Sequence, residues 1–302
     1  HGAEAQAYRE RYARTLAELA RTVSASALSV VVDAAHGAAS PFAVAALAAT
    51  GATVLPFAMG DGVINDGVGA TDPAALGEQV RAHGADLGIA LDGDADRLVV
   101  VDEQGEIVDG EQLMAMIATR WAKTGSLKGK AVVSTIMANL GFEAYLERLG
   151  LALHRTKVGD RYVMEAMREK GCNLGGEPSG HIIMSDYSNT GDALIAALQV
   201  CAVLLESGKK MSEAARCFTP TPQILKNVRY SGESPVAHPD VIAAIASVEK
   251  ALGKQGRVVT RASGTEPLIR VMVEGADAAA IATHAATICA AIEGAGKSRK
   301  TA

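Results

Sequence analysis

Aromatic side chains are scarce in this chain, with 4 Phe, 6 Tyr and 1 Trp among 302 residues. Its cores must therefore be built from Ala, Val, Ile and Leu packed between helices and sheets. Cysteine is sparse too, and Cys172, Cys201, Cys217 and Cys289 form no CxxC pair. Reduced, buried or half-buried thiols are the expectation, as in a cytoplasmic protein. Positive charge is not in excess. A formal net charge of −5 argues against nucleic acid, which calls for a concentrated basic face. The basic cluster from Lys297 to Lys300 reads as a frayed terminus. No apolar run reaches membrane-spanning length on inspection: the longest, Ala193 to Leu205, is interrupted by Gln199 and suits a core helix. No signal peptide is evident at the start, and no membrane partner is expected.

What is present is the composition of an ordinary globular protein, 49% apolar and 21% charged, long enough for two or three cores. Helical periodicity runs from Ala3 to Val23, with Tyr8, Tyr12, Leu16 and Leu19 on one stripe. A strand from Leu28 to Asp33 follows, then a loop with His36 and Gly37. The next helix is expected to be capped by Ser40 with Pro41 at its first position. After a strand ending at Phe57, a Gly- and Asp-rich loop leads to a helix capped at Thr71 or Asp72. Alternating β and α segments predict a mainly parallel sheet covered on both faces. The pattern restarts over 110–206, with TGD (190–192) capping the last helix. FTPTP (218–222) is the clearest linker, because its prolines cannot continue a helix. Beyond it the order strand, helix, strand, strand, helix predicts α+β with an antiparallel hairpin. The expected fold class is thus α/β: two consecutive α/β domains (1–107 and 108–218) with mainly parallel sheets, then a C-terminal α+β domain (219–302).

The densest chemistry lies in ADLGIALDGDADRLVVVD, 85–102, which reads as strand, tight acidic loop, strand. If the loop is extended, Asp92, Asp94 and Asp96 face one side and Gly93 and Ala95 the other. Two carboxylates about 5 Å apart repel by roughly 3 kcal/mol at an effective dielectric near 20. Three such groups call for a cation or a proton, and all-oxygen ligation suits Mg²⁺. A solvated acidic turn or an Asx-type cap would leave the same string. An EF-hand is a poorer fit although Glu103 falls at the twelfth position, since Arg97 stands where that loop needs Gly and the flanks read as strands.

Three further strings carry polar chemistry. In RASGTEPLIR (261–270), Gly264 permits close backbone approach, Ser263 and Thr265 offer hydroxyls and amides, and Arg261 and Arg270 add planar cations. That is a phosphate cradle or an ordinary hairpin turn. In GGEPSGH (175–181), Glu177, Ser179 and His181 alternate and, if extended, share a face suited to sugar hydroxyls and proton transfer. In KVGDRY (157–162), Lys157 and Arg161 meet an anion at a helix start or form a solvated first turn.

Taken in order, DGDADR, GEPSGH and RASGTEPLIR resemble the metal, sugar-binding and phosphate-binding loops of the α-D-phosphohexomutase family, one per domain. INDGVGATDP (64–73), VGDRYV (158–163), TGDALIAALQ (190–199) and SGTEPLIRVMVEG (263–275) are similar to the branch that works on glucosamine phosphate. Pro178, between Glu177 and Ser179, departs from the Gln or Met more familiar there. The resemblance implies that Asp92, Asp94 and Asp96 hold Mg²⁺, that Arg97 approaches the transferring phosphoryl oxygens, and that His181 assists proton transfer. It implies that Glu177 and Ser179 hold the sugar, with Lys157 and Arg161 nearby, and that Arg261, Ser263, Gly264, Thr265 and Arg270 grip the phosphate that stays. The implied reaction converts glucosamine 6-phosphate to glucosamine 1-phosphate through a 1,6-bisphosphate that turns over in the cleft.

The family also has a first domain with a phosphoserine in a T-A-S-H-N-P type loop. No such string occurs here, and the chain opens at His1. The expectation is therefore domains two to four without domain one, inactive alone. Its partners would be a hexosamine phosphate, the missing domain and, in a homodimer, a second copy. Three alternatives stand beside this: a phosphomannomutase/phosphoglucomutase, a non-catalytic sugar-phosphate-binding module, and a phosphatase with Asp92 as nucleophile.

Overall fold

The computed structural model describes residues 2–23, 25–263 and 266–298, which fall into two compact units. The first comprises His1–Ala138 and Phe142–Phe218; the second comprises Asn139–Gly141 and Thr219–Ala302.

Unit 1 contains two sheets built to one plan. The first places β2 (Thr53–Phe57), β1 (Ser29–Asp33) and β3 (Leu87–Leu91) side by side in parallel. β4 (Leu98–Asp102) then returns antiparallel to β3, and the short β5 (Ile107–Val108) continues the edge. The second repeats this order with β7 (Ala152–Thr156), β6 (Ala131–Thr135) and β8 (Leu174–Gly176) in parallel and β9 (Ile182–Met184) antiparallel. β3, LGIAL, and β6, AVVST, are buried at every position, as strands covered on both faces must be. Each antiparallel return creates a hairpin loop at the carboxyl end of a parallel strand, which is where open α/β sheets present ligands. The first of these loops is 92–97 and the second is 177–181.

The helices supply the apolar layers. α4 (Gly110–Thr124) starts at Asp109, whose carboxylate accepts the Glu111 and Gln112 N–H groups. α7 (Ala193–Ser207) is capped by Asp192, as its sequence predicts. Apart from Glu206 and neighbours at its end, α7 is buried nearly all round, so it is a core helix between the two sheets. Through α7 and α4 the sheets that the sequence separates at 107 share one apolar core. α1 (Gly2–Arg21) buries Leu16 and Ala20, whereas Tyr8 is 63% exposed and leaves the expected stripe. Two expected caps are not made. Pro73 and Ala39 are the N-caps of α3 (Ala74–His83) and α2 (Ser40–Ala48), and neither bonds through a side chain. Ser40 lies inside its helix, its buried hydroxyl without a partner among the described residues. α5 (Leu140–Arg148), α6 (Asp160–Lys170) and the short α8 (Met211–Ala214) complete this part of the chain.

Unit 2 is a three-stranded antiparallel sheet, β10 (Gln223–Arg229), β12 (Leu268–Gly275) and β11 (Gly256–Ala262) in that order, covered by α9 (Pro239–Leu252) and α10 (Ala278–Ser298). Contrary to the reading of apolar runs, Ala278–Gly296 is long and apolar enough to cross a membrane by length and composition. Its many alanines raise the mean. Its larger apolar groups, Ile281, Ile288 and Ile292, recur at helical spacing and are buried against the sheet, the pattern of a core helix.

Leu198 has no exposed surface and lies in the shared core of unit 1. Leu198→Ala is expected to lower unfolding free energy by about 2–5 kcal/mol in urea titration. A loss below about 1 kcal/mol would show that α7 does not hold the two sheets together.

Candidate functional site

The 92–97 loop is a turn, not the extended segment expected from alternation. Ala95 adopts φ 61°, the left-handed region, and its N–H donates to the Asp92 carbonyl at 3.0 Å. Asp92 Oδ1 accepts the N–H groups of Asp96 (3.0 Å) and Arg97 (3.1 Å), the Asx-type capping that a bland reading foresaw. The tight turn nevertheless gathers the three carboxylates: one oxygen each from Asp92, Asp94 and Asp96 lies within 4.8 Å of the others. Asp92 is buried, Asp94 exposed and Asp96 between them. Burial, followed by the neighbouring charges of Asp96 and Asp94, pushes the Asp92 carboxyl up to about 6, against the pull of the Arg97 N–H. Three hard oxygen donors that strain against one another fit a divalent cation such as Mg²⁺. Arg97, half exposed, holds its Nε 3.8 Å from both Asp92 and Asp96. Glu103 is not part of the group; its carboxylate is taken by the Ser212 N–H and hydroxyl.

The 177–181 loop is likewise a turn. The Glu177 N–H donates to the His181 carbonyl and the Gly180 N–H to the Glu177 carbonyl, both at 3.0 Å. Glu177, Ser179 and His181 therefore do not share one face by alternation. His181 pairs with Arg97 in an isolated antiparallel bridge, and the Leu98 N–H donates to the Gly180 carbonyl at 3.0 Å. These contacts join the acidic loop directly to the 177–181 loop. Gly180, at φ 90°, must lack a side chain, since a Cβ there would stand 2.1 Å from the Leu98 carbonyl oxygen. The His181 ring is buried, with Nε2 accepting the Gly191 N–H (3.2 Å) and Nδ1 facing Asp96 Oδ2 (3.1 Å). Because Nε2 accepts, the proton sits on Nδ1 and is donated to Asp96. Both nitrogens are thus engaged, and a role in proton transfer requires one of these bonds to open.

The third string reaches the same place by its backbone. The Gly159 N–H donates to Glu177 Oε1 at 3.1 Å. Its cations do not follow. Arg161 is 81% exposed and paired with Glu165 at 2.8 Å, and exposed Lys157 stands 5.8 Å over the Tyr162 ring. Arg161 is in a solvated first turn, the second of the two readings of this string. A further wall went unnoticed in the sequence. Buried Asp33 accepts the Ala35 N–H (2.8 Å) and the Gly69 N–H (2.7 Å), tying the 33–38 loop to the INDGVG segment. The Ala38 N–H then donates to the Gly93 carbonyl (2.8 Å), and Ala35 and His36 both carry positive φ. An acid ending a buried strand beside His36 and Gly37 was the available signal.

In unit 2, Arg261 and Arg270 occupy directly opposed positions on β11 and β12. Ser263 N–H donates to the Leu268 carbonyl at 2.8 Å, closing the mouth of this hairpin. Gly264 and Thr265, both expected phosphate ligands, lie outside the described residues.

Comparison with known proteins places these loops in one class. Residues 10–105 match phosphoglucomutase/phosphomannomutase α/β/α domain II, residues 109–221 match α/β/α domain III, and residues 210–291 match the C-terminal domain. The chain belongs to the phosphoglucomutase/phosphomannomutase family. It is similar to the phosphoglucosamine mutases of Granulibacter bethesdensis, at 56% identity over 83% of this chain and 55% of that protein, and Caulobacter vibrioides, at 52% identity over 91% and 62%. The chain thus spans a little over half the length of these curated relatives. The fold is shared with the Aspergillus fumigatus N-acetylphosphoglucosamine mutase solved with GlcNAc-6P and magnesium. That match has TM-score 0.75 at 23% identity and covers 94% of this chain and 69% of that one. A phosphoglucomutase/phosphomannomutase family protein from Burkholderia thailandensis gives TM-score 0.76 at 21% identity, covering 95% and 64%.

The raised Asp92 carboxyl sets a pH dependence. Without a cation its proton favours the folded chain, so this stabilisation is complete below about pH 4 and is lost as pH rises through about 6. A divalent cation takes the ionised form. Mn²⁺ affinity, measured by calorimetry, should therefore rise by up to about tenfold per pH unit from 5 to 6 and level off above 7. Affinity that is flat from pH 5 to 7 would contradict the assignment of Asp92 as a ligand.

Proposed function

We propose that this chain is the part of a phosphoglucosamine mutase that holds the cation, the sugar and the distal phosphate. In this reading glucosamine 6-phosphate and glucosamine 1-phosphate interconvert through a 1,6-bisphosphate, with the phosphoserine supplied from outside the chain. The observation that carries it is the Arg97–His181 bridge, which sews the acidic loop to the 177–181 loop within one unit. The names of relatives at 51–56% identity support glucosamine phosphate over other hexose phosphates.

Asp92, Asp94 and Asp96 would hold Mg²⁺, which when bound offsets charge on the transferring phosphoryl group. Arg97, beside two of these carboxylates, would meet the same phosphoryl oxygens. Glu177, fixed by the Gly159 N–H, and exposed Ser179 would offer acceptors and a hydroxyl donor to the sugar hydroxyls. Lys157 and Arg161 would enter only by leaving their present surface partners. His181 would take part in proton transfer only on release from Asp96 or Gly191. Arg261, Ser263, Gly264, Thr265 and Arg270 would grip the phosphate that is not transferred, the two arginines standing at paired positions of neighbouring strands. The three-part division at about 107 and 219 then assigns one loop to each part. A cytoplasmic setting and a homodimer complete the reading.

The phosphatase alternative is disfavoured locally, since Asp92 Oδ1 is occupied by two backbone N–H groups and its carboxyl is partly protonated near pH 6. The test is to join this chain behind the N-terminal portion of the Caulobacter relative and assay three hexose 6-phosphates. Turnover fastest on glucosamine 6-phosphate, and none by the chain alone, is expected. A preference for mannose or glucose 6-phosphate would favour the phosphomannomutase/phosphoglucomutase alternative, and no turnover on any sugar would favour a binding module.

A further inference from the structure

The turn at 190–193 reaches the acidic loop by two routes. The Ala193 N–H donates to the Ala95 carbonyl at 3.0 Å, bracing the residue in the left-handed region. The Gly191 N–H donates to His181 Nε2, which leaves Nδ1–H for Asp96 Oδ2. The turn sits tight against the ring: a Cβ at Gly191 would lie 2.6 Å from His181 Cε1 and 2.8 Å from the Asp96 carbonyl oxygen.

Behind the turn stands one tyrosine from an element far away in sequence. The Tyr12 hydroxyl, on α1, lies 3.1 and 3.0 Å from the two carboxylate oxygens of Asp192. Burial, then the charge of Asp192, holds the Tyr12 phenol well above its ordinary range, so it remains a donor throughout the working pH range. Asp192 also accepts the Ile195 N–H at 3.0 Å, so one carboxylate sets both the start of α7 and the pose of the turn before it. The Tyr12 ring is itself fixed edge-on to Phe42, with centroids 5.3 Å apart.

We propose that Tyr12 is a positioning residue for the cation seat, holding Ala95 and Asp96 in place through Asp192 and the 190–193 turn. The proposal rests on the reading of Asp92, Asp94 and Asp96 as that seat. Removing the hydroxyl leaves the Asp192 carboxylate short of a donor, and the turn relaxes towards other partners. Outer partners of metal ligands act in this way, by fixing the ligand's orientation before the ion arrives.

The experiment titrates the full chain with Mn²⁺, following the free ion by electron paramagnetic resonance, and records thermal unfolding of each variant. Tyr12→Phe keeps the ring contact with Phe42 and removes only the hydroxyl. Phe42→Leu removes the ring contact and keeps the hydroxyl. Tyr12→Phe should weaken Mn²⁺ binding at least about threefold, less than the roughly 10–100-fold expected of His181→Ala. His181→Asn, whose amide nitrogen stands near the place of Nδ1, should recover part of that loss. Phe42→Leu should lower Tm and leave Mn²⁺ affinity within about twofold of the starting chain. Tyr12→Phe binding Mn²⁺ as tightly as the unaltered chain, while His181→Ala binds weakly, would overturn the proposal and leave the cation seat standing. Equal weakening by Phe42→Leu and Tyr12→Phe would also overturn it, since packing alone would then explain both. An unaltered chain that binds no Mn²⁺ would remove the seat itself, and the proposal with it.

Discussion

Three carboxylates held within 4.8 Å of one another by backbone geometry are the constraint around which unit 1 is arranged. At that separation each pair costs a few kcal/mol unless a proton or a cation intervenes. The fold restrains Asp92, Asp96 and the turn between them. Asp92 is pinned by two amide N–H groups, Ala95 is turned into the left-handed region, and Asp96 is met by the His181 ring. What the chain can change is protonation, and the raised Asp92 carboxyl is where that change falls. As a cation seat it would be preorganised: the repulsion would be present before an ion arrives and relieved when one does.

The scaffold explains why these loops stay in place. In each sheet of unit 1, three parallel strands are followed by one antiparallel return, and the return forces a short hairpin loop at the carboxyl end of the third strand. Repeating that plan gives two loops of like position, 92–97 and 177–181, and the bridge between Arg97 and His181 fixes one against the other. The shared apolar core around α4 and α7 makes the pair of sheets one body. In unit 2, Arg261 and Arg270 stand at paired positions of an antiparallel strand pair.

The strands and helices were largely legible in the sequence because their signals are local. LGIAL, LVVVD and AVVST are apolar runs bounded by turn residues, and helices such as α7 announce themselves by a capping Asp before an apolar stretch interrupted only by Gln199. The sequence also isolated the acidic string, but for a partly mistaken reason. Side-chain alternation presumes extended backbone, whereas here a turn closed onto Asp92 Oδ1 brings the carboxylates together. Ser40 failed as a cap because capping depends on where the chain leaves helical φ and ψ, and Ala39 before it is already near helical values. The apolar stretch in α10 misled a count of runs, since mean hydropathy does not record which face is buried. Two-residue β5 and four-residue α8 are too short to show a period. The partners of His181, one of them 85 residues away, and of Tyr12, 180 residues away, have no local signature at all.

The most direct measurement of the central claim is anomalous diffraction from crystals of this chain soaked in MnCl₂ near pH 7.5, above the Asp92 transition. A single strong peak among the carboxylates of Asp92, Asp94 and Asp96 is the predicted result, with His181 still bonded to Asp96. Manganese bound elsewhere with this loop empty, or an acidic turn that opens and separates its carboxylates, would contradict it.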